Sequence, residues 1–412
     1  MSEAESHTPD EDERWLTRSV AAIGGASFFA DLGYELPTSL LPSFLTSTLG
    51  APAAALGLIE GVADGLGGVS RLAGGAIADD PARRRKTAVG GYAATAVLGG
   101  LVGLATAVWQ VGVLRVTAWV ARGLRAPSRS ALLTEAASEG TYGRAFGYER
   151  AMDNLGAIGG PLLAIGLVAV VGVGTAILLS IVPGLLAALA IVIGIRSIPR
   201  ASRGERRPLR LRVRPVLHGR LGRLFLAVSA FELGNAAATL FILRATDLLE
   251  PGHGNHRAVE IALGLYAGYN LAAVVASFLG GRLGDRRGMM LVFGLGAAAF
   301  AVGYAGLAAT GSSIILIAVF FAFAGIGIGF AETAEGAAVA GLAPGELVGS
   351  AFGLLAAVQS FGNFAASAVA GGLWTLVSPR AAFAYLAAWM LLSLAALVFV
   401  RSNQGKVADL GQ

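Results

Sequence analysis

Gly74-Gly75-Ala76-Ile77-Ala78-Asp79 and Gly280-Gly281-Arg282-Leu283-Gly284-Asp285 are two versions of one phrase, 206 residues apart in a chain of 412. Each closes a long apolar run. Arg83 and Arg84 follow the first copy, and Arg286 and Arg287 follow the second. The same offset relates Gly143-Arg144-Ala145-Phe146-Gly147 to Gly349-Ser350-Ala351-Phe352-Gly353, and Asp64 to Asn270. Leu56-Gly57-Leu58 matches Leu263-Gly264-Leu265 with a slip of one residue. One short match is chance among 59 glycines, but several at one offset mark a tandem duplication.

The repeated unit is built for lipid. Hydrophobic residues make up 55% of the chain and charged residues 14%, with a mean hydropathy of +0.69. An ordinary soluble domain carries roughly 25% charged residues, and disordered chains are polar and charge-rich. Both classes are excluded. A helix needs about 20 apolar residues to cross the hydrocarbon. Such runs lie near 19–46, 52–78, 87–108, 110–132, 144–168 and 173–195, and again near 221–247, 258–282, 288–309, 312–340, 348–373 and 380–400. Stretches such as Val97–Val108 and Ile314–Phe323 are apolar on every side, unlike the alternating strands of a membrane barrel. The expected fold is an all-α polytopic membrane protein of twelve helices in two six-helix pseudo-repeats.

The domains expected are an acidic tail (1–18), a six-helix bundle (19–195), a basic linker (196–223), a second six-helix bundle (224–401) and a short tail (402–412). The first tail, with Glu3, Glu5, Asp10, Glu11, Asp12 and Glu13, is the opposite of a secretory signal. The linker holds ten arginines and one acid, Glu205. Positive loops stay in the cytoplasm. Arg83-Arg84-Arg85-Lys86 and Arg282, Arg286 and Arg287 read as loops on the same side, while the turns near 47–52, 108–111, 169–174 and 309–313 carry no Lys or Arg. An inner (plasma) membrane protein with both termini cytoplasmic is implied. The net charge of +5 sits between apolar runs, which argues against nucleic acid as a partner.

These residues resemble the major facilitator superfamily of bacterial permeases over roughly residues 19–400. The family pattern after the second span is Gly-x-x-x-Asp with following arginines, which Gly75, Asp79, Arg83 and Arg84 fit; Gly281, Asp285, Arg286 and Arg287 repeat it after the eighth. Leu32-Gly33 with Pro37 and Pro42 is similar to the first helix of drug-exporting members. Gly156-Ala-Ile-Gly159-Gly160-Pro161 is similar to the fifth-helix signature of proton-linked efflux members. In the fourth span Arg115 is followed four residues on by Trp119 where the family carries glycine; Arg122-Gly123 lies deeper. An aspartate at a helix end can form charge-assisted hydrogen bonds that hold two halves in one conformation and release in another. The plain alternative is a solvated basic loop.

Charged residues inside spans cost at least about 2.5–3.5 kcal/mol each at the bilayer centre. Asp31 with Glu35, Glu60 with Asp64, and Glu149 with Asp153 each lie four apart and share a helix face. Arg115 and Arg122 share a face of the fourth span. Two carboxylates in one dry site resist joint ionisation, so Asp31 with Glu35, and next Asp153, are the expected proton carriers; a purely structural ion network is the alternative. The second half offers Asn235, Asn270, Glu332, Gln359 and Asn363 as a more neutral binding surface, with Glu332 facing the cavity or reaching to the interface.

The expected function is a secondary transporter of a small solute working by alternating access, proton-coupled, exporting rather than importing, and monomeric. No Gly-x-x-x-x-Gly-Lys-Ser/Thr loop for ATP occurs. No cofactor or metal is expected: there is no cysteine, the four histidines lie in polar stretches, and only five methionines are present. A polytopic enzyme, or a sensor or lipid-moving protein on the same fold, is the competing reading.

Overall fold

A computed structural model describes residues 15–198 and 209–409. Most of the acidic tail, four linker arginines (Arg200, Arg203, Arg206 and Arg207), Glu205 and residues 410–412 lie outside the described residues. The spans are Arg18–Ser43, Ala53–Ala78, Pro81–Leu101, Val108–Ala136, Tyr142–Val171, a sixth in two pieces (Val173–Leu179 and Ile181–Gly194), a seventh in two pieces (Gly219–Glu232 and Ala238–His253), Asn255–Arg287, Met289–Ala309, Ile314–Leu342, Val348–Leu376 and Pro379–Asp409. Among the described residues there is no strand. The chain is a twelve-helix membrane protein. Eight of the helices are long and apolar enough to cross a bilayer by length and composition. The first, second and fourth fall short because they carry charged residues, and the seventh because it is broken. Side chains such as Ile165, Val170, Ile315 and Leu376 stand exposed on the outside, the ordinary state of a lipid-facing surface.

Two expectations are corrected. Arg83–Lys86 are not a loop: the third helix starts at Pro81, whose missing N–H costs nothing at the first helical position. Asp80 caps it, its Oδ1 accepting from the Ala82 N–H at 3.0 Å. Arg282, Arg286 and Arg287 likewise belong to the eighth helix, where basic side chains at the C-terminus suit the helix dipole.

The second correction is the seventh span, expected as one helix over 221–247. Leu233–Ala237 is unwound between its two pieces. An unsatisfied peptide group in hydrocarbon costs several kcal/mol, so the break depends on partners. The Ala236 N–H donates to the Tyr304 hydroxyl at 3.3 Å, and the Ala237 N–H donates to Ser367 Oγ at 2.8 Å. Asn363 Nδ2 donates to the Asn235 carbonyl at 2.8 Å. The ninth and eleventh spans therefore supply the bonds that the seventh has lost.

The two halves meet where the second span packs on the eleventh and the fifth on the eighth. A Cβ on Gly75 would lie 2.9 Å from the Gly349 carbonyl oxygen and from Gly353 Cα, so only glycine lets these backbones touch. Replacing Asn363 with leucine removes a donor from the broken segment and leaves the Asn235 carbonyl unpaired. A loss of about 1–3 kcal/mol is expected, read as a lower melting temperature in detergent. Wild-type melting would show that the break does not lean on Asn363.

Candidate functional site

The two aspartates of the repeated phrase do the same thing in opposite halves. Asp285, at the end of the eighth span, accepts from the Gly143 N–H at 2.7 Å and the Arg144 N–H at 3.1 Å, and from Arg144 Nε at 2.9 Å. Asp79, at the end of the second span, accepts from the Ser350 N–H at 2.9 Å and from the Ser350 hydroxyl. Each carboxylate thus caps the first turn of a helix in the other half, where N–H groups lack intrahelical partners and the dipole is positive. Gly143-Arg144 and Gly349-Ser350 are the second motif of the sequence repeat, so the two repeated motifs are the two sides of one contact. Arg83 pairs with Asp80 at 3.2 Å, and Arg84, whose charge also acts on Asp79, pairs with Glu135 and donates to the Ala78 carbonyl at 2.7 Å. Burial pushes the Asp79 carboxyl above its ordinary range, and its bonds from Ser350 pull the other way. Between the caps, Phe146 and Phe352 stack with centroids 5.6 Å apart.

Beyond that stack the fourth span carries arginines at 115, 122 and 129, each seven residues on and so on one face. The rung farthest from the latches, Arg115, holds Glu60 through two bonds of 2.9 and 3.2 Å and donates to Thr38 Oγ1 at 3.0 Å. Its guanidinium lies 3.5 Å from the Trp119 ring centroid, and the Trp119 N–H donates to Asp64 at 2.7 Å. The rung nearest the latches, Arg129, pairs with Glu149 at 2.8 Å and Asp153 at 3.4 Å, and donates to Ser27 at 2.9 Å. Arg150 holds the same two acids at 2.9 and 3.1 Å and reaches Glu332 of the tenth span at 3.6 Å. That last contact crosses from one half to the other.

The middle rung differs. Arg122 stands 3.9 Å from the Tyr34 ring centroid and 5.6 Å from that of Trp119, and makes no ion pair or hydrogen bond among the described residues. It lines two cavities. The inner, about 120 Å³, is bounded by the Phe146–Phe352 stack and holds five arginines (Arg71, Arg122, Arg125, Arg129, Arg150) against three acids (Asp31, Asp153, Glu332). The outer, about 460 Å³, lies toward the end remote from the latches and is lined by Asp64, Trp119, Asn363 and the seventh-span break at Ala237. That volume suits a small-molecule ligand.

Asp31 faces Asp153 on the inner cavity, close enough for a carboxyl–carboxyl hydrogen bond, while Glu35 lines neither cavity. Asn270 donates to the carbonyl of Tyr266 at 3.0 Å, a bond within its own helix. In the second half, Gln359 donates to Glu335 at 2.8 Å and Asn235 to Glu232 at 3.0 Å. Both glutamates are buried. Sequence reasoning did not select Arg71, Arg125, Arg129 or Arg150 for the site. The heptad spacing of Arg129 with Arg115 and Arg122 was the available signal for one of them.

Hydrogen bonds to a charged group are worth about 1.5–3 kcal/mol. The double change Asp79→Asn with Asp285→Asn is expected to open the latched end. The chain has no cysteine, so a single cysteine at Leu355, on the inner cavity, reports on this. Its labelling by a water-soluble maleimide from the arginine-rich side should accelerate in the double variant. An unchanged rate would mean that the aspartates do not hold this end shut.

The family model of the Major Facilitator Superfamily matches residues 23–249 and 248–412. An uncharacterised MFS-type transporter of Methanocaldococcus jannaschii is 27% identical over 95% of this chain and 97% of its own length. An uncharacterised protein of Mycobacterium tuberculosis is 34% identical over 38% of each chain. Among solved structures, an outward-facing bacterial homologue of the iron transporter ferroportin has a TM-score of 0.74 at 14% identity, covering 94% of this chain and 100% of that one. A human organic anion transporter (TM-score 0.71, 14% identity, 95% of this chain and 100% of its own) and the Escherichia coli fucose:proton symporter (0.71, 15%, 92% and 98%) are similar. At these identities the structural likeness establishes the fold.

Proposed function

The chain belongs to the major facilitator superfamily of membrane transporters, and from that premise we propose that it is a proton-coupled secondary transporter exporting a small solute by alternating access. Family membership sets the polytopic enzyme aside. The observation that carries the mechanism is the pairing of two symmetric latches at one end with a wide cavity toward the other. The arginine-rich, latched end is the cytoplasmic one under the positive-inside rule. Both termini then face the cytoplasm of an inner-membrane protein, and the conformation is outward-facing. The halves 19–195 and 224–401 act as the two bodies that rock, joined by the linker 196–223 and working as a monomer. Release of Asp79 and Asp285 from the opposing helix ends, with separation of Phe146 from Phe352, gives the inward-facing state.

Asp31 is the proton carrier in this reading. A hydrogen bond between two carboxyl groups requires a proton on one of them, and Asp153 is already held by Arg129 and Arg150. Asp31 has no ion pair among the described residues and lines the inner cavity. The fifth-span glycines set its position: a Cβ on Gly156 would come 2.9 Å from Asp31 Cβ, and one on Gly160 would press on Glu35. This packing ties the efflux-type signature of the fifth span to the acids of the first. Glu35, one turn further along the same helix face, is the secondary candidate.

The test uses protein reconstituted in liposomes with a solute identified by a thermal-shift screen. Asp31→Asn should abolish accumulation driven by a pH gradient while solute exchange at equal concentrations continues. A variant that still pumps uphill at the wild-type rate removes Asp31 from the coupling role. Absence of exchange in the wild-type protein for every solute bound would count against transport itself.

A further inference from the structure

The geometry points to a solute-binding site for an anion, a carboxylate, phosphate or sulfonate group, held by Arg71 and Arg122 where the two cavities meet. This rests on the transport reading and adds the substrate class to it. Arg71 and Arg122 are the two residues that line both cavities. Arg71 spends one N–H on the Ala356 carbonyl at 3.0 Å and makes no ion pair among the described residues. Arg122 is stacked on aromatic faces and makes no ion pair or hydrogen bond among the described residues, the carboxylates of Asp31, Asp153 and Glu35 acting on it only through space. Stacking of that kind fixes the plane of a guanidinium and leaves the N–H groups on its edge free for the two parallel bonds that a carboxylate or phosphate accepts.

A third cation stands behind them. Arg125 is 4% exposed, lines the inner cavity, and lies 3.7 Å from the Tyr92 ring centroid. Its Nε and Nη1 have no hydrogen-bond partner among the described residues. A buried charge without a directly bonded counter-charge is expensive, and Arg71, Arg122 and Arg125, none of them in an ion pair among the described residues, stand along these cavities as a demand for an anion. The acids on the inner cavity do not meet it, because Asp153 and Glu332 are engaged by Arg129 and Arg150, and Asp31 faces Asp153. Asp64 on the outer cavity is engaged by the Trp119 N–H at 2.7 Å, and the remaining lining is mostly glycine, Phe361, Phe364 and small hydroxyls, which suits an anion with an apolar body.

The test is a melting-temperature titration of the full chain in neutral detergent. The probes are inorganic phosphate, succinate and naphthalene sulfonate, with glucose and choline as uncharged and cationic controls. Glycerol phosphate and short-chain phosphatidylglycerol separate a soluble anion from a lipid headgroup. At least one anion should give a saturable rise in melting temperature that the controls do not give. Arg122→Gln and Arg71→Gln should each weaken that anion by roughly 10- to 100-fold. Arg122→Lys, which keeps the charge and loses the planar fork, should weaken it less and serves if the glutamine variant does not fold. Arg380→Gln, outside both cavities, should bind as wild type.

Saturable stabilisation by a soluble anion or by the anionic lipid, lost in the glutamine variants, supports the site and says which source fills it. Stabilisation by choline or glucose alone, an anion effect that survives both glutamine variants, or no effect from any anion overturns it. A protein that exchanges a cationic or neutral solute in liposomes independently of Arg122 refutes the anion site and leaves transport standing.

Discussion

A carboxylate at the end of one helix bundle, resting on the open N-terminus of a helix in the other, is the joint on which the molecule turns. Two bundles in lipid have no hydrophobic drive to associate, since the surrounding chains are as apolar as their own surfaces. What holds them at the arginine-rich end is backbone contact at glycine and the caps made by Asp79 and Asp285. Both devices are all-or-none. A glycine pad separated by an ångström loses its packing, and a cap withdrawn from the N–H groups loses its charge-assisted bonds. A joint of that kind favours two discrete arrangements over a continuum.

The two bundles are internally stabilised by different means. The first is knit by ions: Arg115 with Glu60, and Arg129 and Arg150 with Glu149 and Asp153. The second is knit by rings, with Phe241 touching Tyr269, Phe300, Tyr304, Phe321 and Phe383 at centroid distances of 5.2–6.3 Å. The cavity at the seam inherits the cations of the first bundle that its own acids do not match, and the polar edge of the broken seventh span from the second. Arg150, reaching Glu332, couples the ion network of one half to the wall of the other.

Much of this is legible in the sequence. The offset of 206 residues announced the pseudo-symmetry, and Asp79 and Asp285 were marked as latches by their place in it. The backbone donors they rest on are not legible there, because the N–H groups of a helix N-terminus carry no letter in the sequence. Asp31 was paired with Glu35 from spacing along one helix, yet the acid it faces is Asp153 on another, since spacing within a helix does not say which faces meet. The broken seventh span is not legible because apolar residues resume directly after Glu232-Leu233-Gly234-Asn235 and the run is long enough to read as one helix. Its satisfaction depends on Ser367, Asn363 and Tyr304, all more than 60 positions away.

The most direct measurement is a pair of pulsed spin-label distances taken on the same reconstituted protein, one across each end of the seam. Labels at Glu139 and Pro344 report on the latched end, and labels at Thr106 and Ser312 on the opposite end; all four positions are exposed. Releasing both aspartates by Asp79→Asn and Asp285→Asn should lengthen the first distance and shorten the second in the same molecules. Two distances that lengthen together, or that both stay fixed, would contradict a pair of rigid bodies rocking about the central site.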